Sequence, residues 1–266
     1  LVSPAKRRGK DFAIMLSCLN RLGYAVEWRV INAADYGLPQ RRRRVFMVGY
    51  HKNSNIYKTL SSSSSSEIIN SEGVLENAFS SRAVGEIQEF KIDSDPKKVS
   101  DTFNIEGGKS QFLNSGFMIN GVVASQKLDP NYNGKYAVLR DIIDDDNDNI
   151  PEEFFINKKD LNKWNELKGS KSIEKESNGF KYTFKEGSMV WPDPLDKPSR
   201  TIITGEGGNS PSRFKHILKV GSKHRRLTPK ELDMLSDFPE DWTKYGLRSE
   251  PDKNSSFEYE LSPNQR

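Results

Sequence analysis

The 266-residue chain is 34% hydrophobic and 29% charged, with a formal net charge of +4, enough apolar material for one sizeable core and a smaller second one. No apolar run approaches the roughly 20 residues that span a bilayer, and no segment of signal-peptide type follows the basic start LVSPAKRRGKD. A single cysteine, Cys18, excludes an internal disulfide framework, and with three scattered histidines no metal site is expected.

Apolar residues at 12, 15, 16, 19 and 22 recur at helical spacing, which predicts a helix over 11–22. Asp11 is expected to cap it and Gly23 to take the left-handed turn behind it. Cys18 falls on this helix and reads as a small core residue. Tyr24, Val26, Trp28 and Val30 alternate with Glu27 and Arg29, the period of a strand with one face buried. After the connection INAADYGLPQ, Val45–Tyr50 is a continuous apolar run of buried-strand length. The order helix, strand, loop, strand fits the last part of a layered, mainly parallel α/β sheet.

Directly before that apolar run stand Arg41 to Arg44. Such a run is usually a solvated patch or a localisation signal, but those sit in polar surroundings and not between two strand patterns. Further on, the serines from Ser61 to Ser66 read as a flexible low-complexity segment outside any core. Residues 90–135 look like short strands and turns, with Gly116–Ala124 as one apolar run. Short helices are expected over Ala137–Ile143 and Lys158–Leu167. The acidic run Asp141–Asp148 reads as a solvated loop, since calcium-loop spacing is lacking. From Gly187 the chain turns Pro- and Gly-rich. Thr228-Pro229-Lys230-Glu231 is a helix start with a capping box, and Phe238-Pro239 ends that helix. Basic clusters at Lys6–Lys10, Arg41–Arg44 and Arg200–Arg226 point to a polyanion partner.

Three of these stretches, in this order, resemble the C-terminal half of the DNA (cytosine-5) methyltransferases. The family's eighth motif, Gln-x-Arg-x-Arg before a strand, is matched by Gln40, Arg42 and Arg44 in YGLPQRRRRVFMVG. Its ninth motif is matched by Arg225, Leu227, Thr228, Pro229 and Glu231, with Phe238-Pro239 and Trp242 behind them. KPSRTIITGEGG looks like the end of the target-recognition domain, with Thr201, Gly207 and Gly208 in the characteristic places; those glycines also suit an ordinary hairpin turn. The resemblance covers residues 4–50 and 187–243, and 51–186 matches no named pattern.

The resemblance implies an α/β fold. Residues 1–50 would end the Rossmann-like sheet of an S-adenosylmethionine-dependent catalytic domain, and 51–245 would form a mixed, strand-rich target-recognition domain that includes the ninth motif. Residues 246–266 would return toward the catalytic domain. The implied reaction moves a methyl group from S-adenosylmethionine to C5 of a flipped cytosine in a specific duplex DNA sequence, within restriction–modification and in a prokaryotic cytoplasm. Attack at C6 pushes electron density toward O2, and Arg44 would supply the fixed cation there. Arg42 would hold the loop and nearby phosphate, and Gln40 would fix the loop's shape. Thr201 would contact the backbone around the flipped nucleotide, and Gly207 and Gly208 would let the main chain approach base edges. Arg200, Arg213, Lys215, Arg225 and Arg226 would add sequence-independent affinity.

The family's Phe-x-Gly-x-Gly, Pro-Cys and Glu-Asn-Val patterns do not occur, and no Gly-Asn motif follows the ninth motif. The start at Leu1 reads as a cut or processed end. Nucleophile and cofactor site are therefore expected in a missing N-terminal catalytic half, in cis or as a second subunit, and the chain alone is expected to be inactive. The alternative is a non-catalytic, DNA-binding specificity subunit of a split enzyme. The RNA-modifying branch of the family fits less well, because its small domain is compact.

Overall fold

Phe12, Ala13 and Leu16 form one stripe of helix α1 (Lys10–Arg21) and pack against the sheet that follows. This computed structural model describes residues 1–177, 179–249 and 256–262. The N-cap of α1 is Gly9, at φ 94°, and not Asp11, which lies inside the first turn and accepts from the Ser3 hydroxyl. A carboxylate there still suits the positive end of the helix dipole. Gly23, at φ 83°, turns the chain out of the helix as expected. Cys18 is exposed and not a core residue, because Ser17 is the position that faces inward.

Chain contacts divide the protein into two compact units, Leu1–Tyr36 with Arg43–Gly134, and Gly37–Arg42 with Lys135–Arg266. Beyond α1, the first unit holds β1 (Tyr24–Asn32), β2 (Arg43–His51), α2 (Asn55–Leu60), α3 (Ser65–Glu67) and α4 (Val74–Ala78). It continues with β3 (Ser81–Ala83), β4 (Gln88–Lys91), α5 (Pro96–Thr102), β5 (Ser115–Ile119), β6 (Val122–Gln126) and β7 (Leu128–Pro130). Five of these strands make one sheet in the order β2-β1-β5-β6-β4. The mixture of helices and strands is that of the α/β class expected.

The sheet is antiparallel at every pairing, which corrects the mainly parallel expectation. The cause is the shortness of the connections. Asn120 and Gly121, at φ 50° and 74°, make the tight turn between β5 and β6, and residues 33–42 alone link β1 to β2. Because β4, β5 and β6 complete the sheet begun by β1, the first unit extends to residue 134.

Both faces of β1 are covered. Val26 and Trp28 pack with Phe12, Leu16, Met118 and Val123 on one side, while Ala25 packs with Phe117, Ala124, Ile68 and Ile69 on the other. Glu27 and Arg29 are therefore buried, against the expectation of a solvated face. Glu27 accepts from the Tyr50 hydroxyl at 2.9 Å and from Leu75 N at 2.9 Å. Arg29 reaches the carbonyls of Ile69 and Phe79 and the carboxylate of Glu76. Burial raises the Glu27 carboxyl above its usual range, opposed by Tyr50, Leu75 N–H and the Arg29 charge.

The cover on that second face comes from the segment around the serine run, which is expected to be flexible but here forms a turn at Ser61–Ser63, an N-cap at Ser64 and the start of a helix at Ser65 and Ser66. Ser54 caps α2 by accepting from Tyr57 N, and Ser64 and Glu67 form a reciprocal capping box on α3. The serines start helices, and Leu60, Ile68 and Ile69 behind them enter the core. The Val45–Tyr50 run is another correction. It lies in β2, at the edge of the sheet, and Val45 and Phe46 are 44% and 43% exposed.

Gly116 on β5 lies against the Trp28 ring. A Cβ there would meet Trp28 Cζ2 at 2.2 Å and the Ala124 carbonyl at 2.5 Å. Gly116→Ala should therefore cost about 1–3 kcal/mol through overpacking, read as a lower midpoint in a urea titration. An unchanged midpoint would show that Trp28 moves without strain.

The second unit holds α6 (Leu161–Lys168), the hairpin β8 (Lys171–Ser177) and β9 (Phe180–Glu186), and the hairpin β10 (Leu218–Val220) and β11 (Lys223–Arg225). They are followed by α7 (Pro229–Leu235) and the pair β12 (Tyr245–Ser249) and β13 (Ser256–Glu260). Its core gathers Leu139, Leu218, Val220, Leu227 and Leu235. α7 starts as its sequence predicts, with Thr228 and Glu231 in a capping box and Pro229 in the first turn. Of residues 246–266, expected to return toward the catalytic domain, 246–249 and 256–260 lie in the strands β12 and β13, and 250–255 and 263–266 lie outside the described residues. No described helix is long and apolar enough to cross a membrane.

Candidate nucleic-acid interface

The loop Gly37–Arg42 belongs to the second unit although the chain on both sides of it belongs to the first. It is held by main-chain bonds to a segment far along the sequence. Ser199 N donates to Pro39 O at 2.7 Å, and Arg41 N donates to Ser199 O at 2.8 Å. The Thr201 hydroxyl donates to Arg41 O at 2.6 Å, so this side chain ties down the loop. Gln40 is buried, and its Nε2 donates to the Leu235 carbonyl at the end of α7 at 3.0 Å. The eighth-motif loop, the start of the Thr201 segment and the ninth-motif helix thus meet.

Arg41 to Arg44 are all exposed. Arg42 N donates to the Gln40 carbonyl at 3.0 Å. Arg44 lies on β2, paired with Ile31 of β1, and its guanidinium donates to the neighbouring Arg43 carbonyl at 2.8 Å. An anchored glutamine followed by exposed guanidinium groups leaves those donors available to a ligand.

The cations expected on phosphate are arranged otherwise. Arg225 is fully buried and bidentate to Glu231, at 2.8 and 2.7 Å, with further bonds to the carbonyls of Arg226 and Asp144. Arg226 donates to the carbonyls of Gly207 at 2.9 Å and Glu153 at 2.6 Å, over the Phe154 ring. Arg213 donates to the carbonyls of Leu167, Gly169 and Gly187. Arg200 grips Asp193 and the carbonyls of Phe214 and Lys215. In this arrangement Arg213, Arg225 and Arg226 are buried and do not face solvent, which corrects the expectation of open phosphate contacts. The second unit is rich in irregular chain whose carbonyls lack ladder partners, and these side chains satisfy them.

Gly207 and Gly208 lie in the loop 203–210, whose residues 204, 205, 209 and 210 are exposed. Sequence reasoning passed over the groups behind it. Glu206 is buried and accepts from His216 N and Ile203 N, with His216 Nδ1 at 3.1 Å. Burial alone would raise the Glu206 carboxyl, but the hydrogen bonds and charge of His216 with the Ile203 N–H hold it below its usual range. Lys168, buried at the end of α6, donates to the Lys215 carbonyl, and burial with the nearby Arg200 charge lowers its pKa to about 8. Nothing in the local sequence separates such residues from surface charges. The Pro-rich setting of Asp193 is the one cue to a shaped turn.

Among the described residues no cluster of His, Cys, Asp and Glu is arranged to hold a metal ion. A cavity of about 720 Å³ in the second unit is lined by carboxylates, including Asp141, Glu153, Glu240 and Glu260, around Ile142 and Phe154. No glycine-rich turn forms its wall.

The family model described as C-5 cytosine-specific DNA methylase matches residues 2–256. The Type II methyltransferase M.Sau3AI of Staphylococcus aureus is 40% identical over 248 residues, covering 92% of this chain and 58% of that protein. Shorter similarities include the Type II methyltransferase M.NgoBI of Neisseria gonorrhoeae, 45% identical over 49 residues, covering 18% of this chain and 16% of that protein. Another is M.MthTI of Methanothermobacter thermautotrophicus, 46% identical over 46 residues, covering 17% and 14%. No solved structure matches. The chain spans 58% of the length of the relative it matches most extensively among these. It belongs to the C-5 cytosine-specific DNA methylases.

Proposed function

We propose that this chain is the C-terminal part of a restriction–modification cytosine-C5 methyltransferase that acts in the cytoplasm on a specific duplex DNA sequence. The observation that carries the reading is the anchored eighth-motif loop, where Gln40 is locked to Ser199 and Leu235 and Arg42 and Arg44 stand exposed behind it. Arg44 then supplies the cation beside O2 of the flipped cytosine, and Arg42 engages phosphate. Thr201, bonded to Arg41 O, keeps the loop in place. Arg200, Arg213, Arg225 and Arg226 act on DNA indirectly, by shaping the second unit. The loop with Gly207 and Gly208 approaches base edges.

S-adenosylmethionine supplies the methyl group in this family. The residues present do not make its site, since the Phe-x-Gly-x-Gly pattern is lacking and Cys18 has no preceding proline to make the nucleophile pair. Both functions belong to the catalytic half that this reading requires. The test is transfer of labelled methyl to mixed-sequence duplex DNA. The protein with its upstream coding region should form 5-methylcytosine, and residues 1–266 alone should form none. Methylation by the 266 residues alone would overturn the assignment of nucleophile and cofactor site to the missing half. No methylation by the longer protein would sink the reading itself.

A further inference from the structure

Lys215 and Arg226 are buried cations, and neither has a carboxylate within 4.0 Å among the described residues. A buried charge without a counter-ion is costly, so their placement calls for a reason. Both side chains donate into the back of the loop 203–210. Lys215 Nζ reaches the Gly208 carbonyl at 2.6 Å and the Ser210 carbonyl at 2.8 Å, and Arg226 reaches the Gly207 carbonyl at 2.9 Å. Within the loop, Glu206 N takes the Ile203 carbonyl at 3.1 Å, and Gly208 N takes the Gly205 carbonyl at 3.3 Å. Glu206 in turn fixes the loop to His216.

These bonds engage five of the eight carbonyls of residues 203–210, while those of Thr204, Glu206 and Asn209 have no donor among the described residues. The carbonyls of residues 203, 205, 207, 208 and 210 are all engaged, while the N–H groups of Gly207, Asn209 and Ser210 have no acceptor among the described residues. Asn209 and Ser210 are exposed. Open N–H groups backed by two cations, whose charge the Glu206 and Glu153 carboxylates partly offset, make a surface that offers more donors than acceptors.

We propose that Lys215 and Arg226 are positioning residues that turn the carbonyls of Gly207, Gly208 and Ser210 inward, so that the loop's outer surface selects acceptor-rich base edges and phosphates of duplex DNA. The matching chemistry is that of purine N7, guanine O6, thymine O4 and phosphate oxygens. This deepens the proposed function and rests on it. A lysine that touched phosphate directly would behave differently, because losing one phosphate contact lowers the salt dependence of binding by about 0.9 in log–log slope. A positioning lysine leaves that slope alone and degrades discrimination.

The experiment uses the full-length enzyme and a duplex pool with a randomised core, selected and sequenced at several salt concentrations. Wild type should enrich one motif. Lys215→Met should lower the ratio of selected-motif to random-duplex affinity by about tenfold or more, with an unchanged salt slope. Lys215→Arg, which retains charge and donors, should restore much of that ratio. An unaltered ratio with a slope smaller by about one would make Lys215 a phosphate contact and overturn the proposal. Enrichment of no motif by wild type would overturn the underlying DNA-recognition reading instead. Should Lys215→Met fail to fold, hydrogen exchange on the wild-type protein decides. The amides of Gly207, Asn209 and Ser210 should become protected on the selected duplex, and amides that stay open on bound DNA would refute the role.

Discussion

Arg44→Ala in the full-length enzyme is expected to lower kcat by roughly a hundred- to a thousandfold, the usual cost of removing one preorganised donor from a developing oxyanion. Affinity for the target duplex should change little. The reasoning is differential. The ring carries little charge at O2 before attack and more after it, so a cation beside O2 helps the transition state more than the ground state. The main chain at Arg44 is fixed by its pairing with Ile31, while its guanidinium is exposed and, among the described residues, bonds the Arg43 carbonyl alone. The base is therefore rigid and the head is free to engage a substrate. Arg44→Lys should recover only part of the loss, since an ammonium cannot reproduce the planar fork. Arg42→Ala should behave the other way, weakening duplex binding and reducing its salt slope while sparing kcat in saturating DNA. Steady-state methyl transfer with varied DNA separates the two. A fall in affinity with kcat intact for Arg44→Ala would defeat the role given to it.

Glu231→Ala should produce the largest loss of stability in the second unit, about 3–5 kcal/mol, because it strips the counter-ion from a fully buried guanidinium. Glu231 accepts both arms of Arg225, the Thr228 N–H at 2.8 Å and the Asp144 N–H at 3.0 Å. One carboxylate thus closes the capping box of α7, neutralises Arg225 and ties down the acidic loop. Losing it leaves a charge and several N–H groups without partners. The double replacement Arg225→Met, Glu231→Leu should be milder than Glu231→Ala, since no charge is left stranded. Urea titration gives both numbers. If Glu231→Ala costs less than about 1 kcal/mol, in the range of an exposed pair, the buried network is not what holds this helix. In neither variant should the salt slope of DNA binding fall, which is where a phosphate-contacting Arg225 would reveal itself.

Local sequence was sufficient wherever a few neighbouring residues complete an interaction. Thr228, Pro229 and Glu231 predicted the start of α7, and the Thr228 side chain does accept from Glu231 N at 3.3 Å. The spacing of Phe12 and Leu16 predicted α1, and Gly23 its exit. The motif around Gln40 to Arg44 was legible as a pattern, and so was the family it belongs to. The serine-rich segment was misread because composition alone resembles a linker. Its helices depend on Ile68 and Ile69 finding a sheet face made by residues 25, 117 and 124.

What only the tertiary structure decided was which side of each element would see water. Glu27 and Arg29 alternate like a solvated face, yet α4 and the residues before it cover them. Val45 and Phe46 look like core, yet they end up on an edge strand. The same holds for the arginines. Arg42 and Arg225 are equally basic in the sequence, and one is exposed while the other is wholly buried, because the Asp144 carbonyl, from far back along the chain, joins the nearby Glu231 on Arg225. Capping and periodicity act over a few residues, so the chain carried them openly. Burial depends on partners many residues away, and folding alone brings those together.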